Sequence, residues 1–309
     1  MRIGITVGRD ERSVAAQARW AEDAGFDQVA CGEHLFFHGP TSNAFITLAA
    51  AAGATDRIRL LSALTIAPVY PVAILAKLAA SLDQVSGGRF DFGVGVGGEY
   101  PPEFQAAGVP VAERGARTDE ALEVLGPLLA GETVTHHGRF AEIPGLALQP
   151  AAVQRPGPPV WLGGRKPVAM RRAARFADVW LPYMYTPEQL AGSLAEVNAE
   201  AERLGRPAGA VRGAVYCWGV VHADAATARQ TAIDVVSQIY QQDFSPLADR
   251  YLLHGDPGRV IERLAEYHRA GAEHVVFAAA AAGSDERLAM LELLAAKVLP
   301  EVRDWPPAH

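Results

Sequence analysis

One histidine, one carboxylate and two glycine clusters are the residues of this chain whose types and spacing could do chemistry. The segment Cys31-Gly32-Glu33-His34-Leu35-Phe36-Phe37-His38 joins an imidazole, able to give or take a proton near neutral pH, to a neighbouring carboxylate and to aromatic rings that could wall a cofactor. A half-buried structural histidine is the competing reading of His34, and His38 reads as a surface loop residue. The i, i+4 spacing of the two histidines is not His-Glu-x-x-His on a helix, so it does not point to zinc.

The first glycine cluster is Phe92-Gly93-Val94-Gly95-Val96-Gly97-Gly98-Glu99-Tyr100-Pro101-Pro102-Glu103-Phe104. Gly93, Gly95 and Gly98 formally satisfy G-x-G-x-x-G, but that fingerprint must open a helix directly. Here the first glycine lies inside an apolar run, and Pro101-Pro102 is expected to break a helix at the required place. Side-chain-free backbone at Gly95, Gly97 and Gly98 is better explained by the close approach of a flat ligand; relief of crowding is the alternative. Glu99 is the carboxylate nearest that backbone.

The second cluster, Trp161-Leu162-Gly163-Gly164-Arg165-Lys166-Pro167, runs into a helical pattern. Backbone N–H groups at a helix N-terminus, two glycines and two cations suit a phosphate, with Gly163, Gly164 and Arg165 as its cradle. A plain Gly-rich turn is the alternative.

Composition narrows the chemistry. The net charge of −7 and pI near 5.7 argue against an extended nucleic-acid partner. Two distant cysteines, Cys31 and Cys217, give neither a disulfide framework nor a thiolate metal site, and suit a reducing cytoplasm. No apolar run is long enough for a signal peptide or a membrane span, since Met1–Val7 meets charges at residues 9–12. Only three lysines occur, Lys77 and Lys297 in helical patterns and Lys166 in the glycine turn, so Schiff-base chemistry from a strand is not expected. The first strand lacks the His-x-His of metal-hydrolase barrels, and Glu99 has no evident carboxylate partner for glycoside hydrolysis.

The elements that must position these residues alternate from end to end. Eight apolar strands are expected at Arg2-Val7, Gln28-Cys31, Arg59-Ile66, Arg89-Val96, Val160-Gly163, Val179-Pro182, Arg212-Val221 and His274-Ala279. Ser13 and Gly25 bracket the first intervening helix, Pro71 opens and Ser86-Gly87-Gly88 stops another, and Pro167, Pro187 and Pro257 open three more. Eight such units predict an α/β fold, a (β/α)₈ TIM barrel in one domain over 1–309, with functional groups at the carboxyl ends of the strands. Gly131-Pro150 reads as an inserted hairpin and Ala225-Leu253 as an overlong insertion; Phe36, Phe37, Tyr100 and Tyr183 are expected to join the latter as pocket walls.

Taken in order, several segments resemble the bacterial luciferase-like superfamily of flavin- and deazaflavin-dependent oxidoreductases. They are Ala24-Gly25-Phe26-Asp27, Glu33-His34, Leu82 through Gly88-Arg89, Gly93-Val94-Gly95, Glu103-Phe104, Gly108-Val109-Pro110, Glu113-Arg114, Asp119-Glu120, Pro158 through Gly164, Ala177-Asp178 and Gly255-Asp256-Pro257. The resemblance covers nearly the whole chain. It implies a barrel that binds coenzyme F420 or FMN, with the ring at the mouth, the phosphate at Gly163-Gly164-Arg165, and a non-proline cis peptide at Ser62-Ala63 against the ring. It also implies hydride transfer between F420 and a small organic substrate, with His34 near the reacting carbon and Glu99 as an acid. The alternative within the family is an FMN-dependent monooxygenase that uses O2 and a reductase partner. A homodimer is expected from the same resemblance. The sequence departs from the commoner pattern in having Glu33, not Asp, before the histidine, and an extra Gly98 before Glu99.

Overall fold

The computed structural model describes residues 1–8 and 12–308; the charges expected to interrupt the first apolar run at residues 9–11 lie outside the described residues. Twelve strands follow along the described chain: β1 (Arg2–Thr6), β2 (Gln28–Cys31), β3 (Arg59–Ser62), β4 (Thr65–Ile66), β5 (Phe90–Gly95), β6 (Thr133–His137), β7 (Glu142–Ala147), β8 (Val160–Leu162), β9 (Val179–Trp180), β10 (Arg212–Val221), β11 (Leu253–Gly255) and β12 (Ala272–Ala279). Parallel pairing runs β1-β2-β3-β5-β8-β9-β10-β12 and closes when β12 pairs with β1, with Arg2 opposite His274 and Ile5 opposite Phe277. The result is the expected eight-stranded barrel with helices outside it. β6 and β7 form the expected antiparallel hairpin, and β11 pairs in parallel with the last residues of β10, Gly219 to Val221.

Helix boundaries follow local chemistry. Ser13 Oγ accepts from Ala16 N ahead of the helix Val14–Asp23, and Gly25 beyond it takes φ +88°, a conformation that costs glycine little. Pro167, Pro187 and Pro257 each occupy the first helical position of Pro167–Phe176, Pro187–Arg203 and Pro257–Arg269. Pro101 and Pro102 do not break a helix, as expected from sequence, but open the short one Pro101–Ala106. In a first turn the missing N–H groups have no intrahelical partner to lose.

Two apolar layers result. Ala30, Leu61, Trp161, Val179, Leu181, Ala214 and Val276 fill the barrel, while a larger core lies between the strands and the helices. Among the described residues no helix is long and apolar enough to cross a membrane.

The third expected strand is interrupted. Ser62 remains in register, opposite Cys31, and its Oγ both accepts from Gly93 N (2.9 Å) and donates to Gly93 O (3.0 Å). The cis peptide falls one bond later than the expected Ser62-Ala63, between Ala63 and Leu64, and β4 resumes at Thr65 beside β5.

Candidate active site

The carboxyl ends of the strands surround a cavity of about 270 Å³. Its lining joins segments far apart in sequence: Thr6 to Gly8, Cys31 to His34, Phe37, Ala63-Leu64, Gly95 to Gly97, Glu99, Gly163-Gly164, Tyr183, Tyr216, Trp218 and Tyr240. His34 and Glu99 are thus brought to one cavity, together with Ala63, Gly95, Gly97, Gly163 and Gly164. Ser62, Gly98 and Arg165 are not part of its lining.

His34 is held on two sides. Its Nδ1 lies 3.2 Å from both Oε1 and Oε2 of Glu103, and its ring stacks on Phe37 with centroids 4.2 Å apart. Glu103 is completely buried and also accepts from Leu35 N at 3.2 Å. A carboxylate facing Nδ1 places the ring proton there, which leaves Nε2 as the nitrogen for chemistry. Thr41 Oγ1 donates to the His34 carbonyl at 3.1 Å and fixes the backbone of the same loop. His38 is exposed, as expected for a loop residue, and His137 in the hairpin is exposed beside Glu142.

Glu99 occupies the rim and accepts a 2.7 Å hydrogen bond from the Tyr183 hydroxyl. Burial first, and then the Glu99 carboxylate, push the Tyr183 phenol well above its ordinary range, so it stays protonated as a donor. Arg165 stacks its guanidinium 5.0 Å from the Tyr183 ring centre, and its Nη1 donates to Met184 O at 3.2 Å. Through these contacts Arg165, expected from sequence to face a phosphate, braces the turn that carries Tyr183.

The glycines have a more specific cause than ligand approach alone. A Cβ on Gly93 would lie 1.7 Å from Ser62 O, and one on Gly163 would lie 2.5 Å from Leu64 Cδ1. On Gly95 it would meet Leu64 Cβ at 3.1 Å, and on Gly98 it would meet Arg114 Nε at 2.6 Å. Gly93, Gly95 and Gly163 therefore make room for the Ala63-Leu64 bulge, which in turn floors the cavity, while Gly98 makes room for Arg114. Gly164, at φ +101°, turns the chain toward the helix Pro167–Phe176.

Sequence reasoning gave no role to Glu103, the partner of His34. The available signal was a carboxylate in the first turn after Pro101-Pro102, next to an apolar Phe104; its meaning depends on a contact across 69 residues. Tyr240, in the overlong segment, reaches the cavity, whereas Phe244 and Tyr251 do not line it. Most of that segment is the crossover helix Ala225–Tyr240.

Comparison with known proteins agrees with this architecture. The uncharacterized protein Rv0940c of Mycobacterium tuberculosis is 34% identical over 185 residues, covering 60% of this chain and 63% of the relative. Protein y4vJ of Sinorhizobium fredii is 34% identical over 166 residues, covering 53% and 47%. The matched stretch thus spans about half to three-fifths of these curated relatives' length. Among solved structures, an F420-dependent secondary alcohol dehydrogenase in complex with an F420-acetone adduct superposes with TM-score 0.85 at 20% identity, over 98% of this chain and 99% of that one. Monooxygenase RslO1 from Streptomyces bottropensis superposes with TM-score 0.83 at 24% identity, over 97% and 99%. At such identities these two establish a shared fold. The model of the luciferase-like monooxygenase family matches residues 2–274, nearly the whole barrel, and the chain therefore belongs to that family of oxidoreductases.

Proposed function

We propose that this protein transfers a hydride between coenzyme F420 and a small organic substrate, with His34 managing the accompanying proton. The observation that carries the reading is the His34–Glu103 pair, whose imidazole opens onto the cavity while its carboxylate is sealed from water.

The residues present fit a flat cofactor with a phosphate. Leu64, Ile66 and Leu181 give the cavity apolar surfaces, and Gly95, Gly97, Gly163 and Gly164 leave its rim free of side chains. The Gly163-Gly164 turn leads into the helix Pro167–Phe176, where Pro167 carries no N–H and the Ala169 and Met170 amides bond Lys166 O, so the positive end of the helix dipole and the side-chain-free turn, rather than a row of free amides, would favour an anion. Bound there, F420 supplies the hydride chemistry.

The chain's own contribution is orientation and proton handling. Glu103 holds the Nδ1–H of His34, so that Nε2 takes the proton of a substrate hydroxyl during oxidation and returns it during reduction. Phe37 limits rotation of the imidazole by stacking on it. Tyr183 and Glu99 form a second polar group on the rim, where they orient the substrate. The apolar walls exclude water from the reacting atoms.

The test is an anaerobic assay that follows the absorbance of oxidised F420 with a panel of small alcohols and, in reverse, reduced F420 with ketones. His34→Gln is the control. Turnover without oxygen, lost by about a hundredfold or more in the variant, is the expected result. Turnover only with reduced FMN and O2 would contradict the reading and indicate a monooxygenase with a reductase partner.

A further inference from the structure

Among the buried ionisable side chains of the described cavity wall, the carboxylate beside His34 has no part in the mechanism above. Glu33, adjacent to His34, is only 4% exposed. Its Oε1 accepts from the Tyr70 hydroxyl at 2.8 Å, and its Oε2 accepts from Asn43 Nδ2 and from Ala44 N, each at 3.3 Å. Asn43 Nδ2 also donates to the Tyr70 hydroxyl at 2.8 Å, and Asn43 Oδ1 caps the helix Ala44–Ala52 by accepting from Ile46 N. Three pieces of chain thus meet at one carboxylate: the loop that carries His34, the start of that helix, and the residue that follows the turn Ala67–Val69 beyond the bulge.

We propose that Glu33 is a positioning residue for His34, tying the histidine loop through Tyr70 and Asn43 to the rigid segment that follows the Ala63-Leu64 bulge. The inference rests on the reading of His34 as the proton-handling group, and adds a second carboxylate to it. Glu103 fixes the ring from one side; Glu33 fixes the backbone from which the ring projects. Together with the Thr41–His34 carbonyl hydrogen bond, this leaves the loop few ways to move the imidazole without breaking buried polar contacts.

Side-chain length is part of the argument. Glutamate reaches Tyr70 and the Ala44 amide from the same carboxylate, and aspartate, one methylene shorter, is expected to draw the carboxylate back from at least one of them. Burial raises the Glu33 carboxyl above its ordinary range, against the hydrogen bonds from Tyr70, Ala44 and Ile66, and the nearby Glu103 charge pushes the same way. Keeping a carboxyl in so costly an environment is understandable if its contacts hold a site in place.

The test needs no cofactor. In protein labelled with 15N at histidine, the Nδ1 proton of His34 should be visible and protected from solvent exchange, and Glu103→Ala, which removes the acceptor, should abolish that protection. Tyr70→Phe, which keeps the ring packed against Phe45, and Glu33→Asp should each speed exchange of that proton by roughly tenfold or more, with the His274 and His136 resonances unmoved. A purely structural role would lower the melting temperature and leave the His34 proton as protected as before, which would overturn the proposal. So would unchanged protection in the folded Tyr70→Phe protein even if Glu33→Asp fails to fold. Because the signal is read without ligand, failure of F420 turnover and failure of this proposal remain separate results.

Discussion

The imidazole of His34 faces both oxygens of the Glu103 carboxylate at 3.2 Å, across 69 residues of chain, with Glu103 fully buried and His34 open to the cavity. The pair divides by environment: the sealed member holds the ring tautomer, and the open member is the one that the proposed function places against the substrate.

Replacing Glu103 should therefore damage both stability and chemistry, in a separable way. Glu103→Ala leaves the His34 ring and the Leu35 amide without their acceptor, at a cost of about 2–3 kcal/mol in denaturant unfolding. Glu103→Gln should restore part of that stability while activity stays low, because a neutral amide does not stabilise the protonated ring. Equal recovery of stability and activity in Glu103→Gln would show that the carboxylate charge is not used.

The bulge and the glycines should behave as one packing unit. Gly93→Ala drives a Cβ into the Ser62 carbonyl and is expected to destabilise by at least ~3 kcal/mol, with no relief from Leu64→Ala because the obstacle is backbone. Gly163→Ala meets the tip of Leu64 instead, and Leu64→Ala should recover much of its loss. Thermal melts of the three single and two double variants decide between these outcomes.

Acid should reveal a histidine that the active site does not use. His274 is 7% exposed, touches Trp161 edge-on, and is pushed by burial down to about 3, with Arg2, Arg212 and Arg59 acting in the same direction. In the unfolded chain it titrates near 6.5. Between these values the unfolded state binds the extra proton, so stability falls as pH drops, at up to about 1.4 kcal/mol per pH unit. His274→Phe should remove that component from unfolding free energies measured between pH 4 and pH 7; an identical slope in the variant would contradict the account.

The Tyr183–Glu99 bond lies at the rim and should matter to the substrate more than to the fold. Tyr183→Phe should change unfolding free energy by about 1 kcal/mol or less, leave F420 affinity within roughly twofold, and raise the substrate KM. A loss of F420 affinity instead would mean that Tyr183 contacts the cofactor.

Much of this was legible in the sequence because it is local. The barrel strands are short apolar runs between Pro and Gly signals, and β2 and β10 coincide with the expected Gln28-Cys31 and Arg212-Val221. His34, Glu99 and the Gly163-Gly164 turn were visible because they directly follow such strands. What escaped depends on contacts between distant elements. Glu103 acquires meaning only opposite His34, and Ser62, the last residue before the break, is held by hydrogen bonds to Gly93 on another strand. The contacts of Arg165 with Tyr183 and Met184 escaped for the same reason, since both come from the next strand's loop.

The most direct test of the central claim is a pair of equilibrium titrations of the purified protein, one with F420 and one with FMN, followed by fluorescence. The account predicts saturable, tight binding of F420 and binding of FMN at least roughly tenfold weaker, a difference of about 1.4 kcal/mol. Tighter binding of FMN would contradict it and turn the search toward oxygen-dependent chemistry.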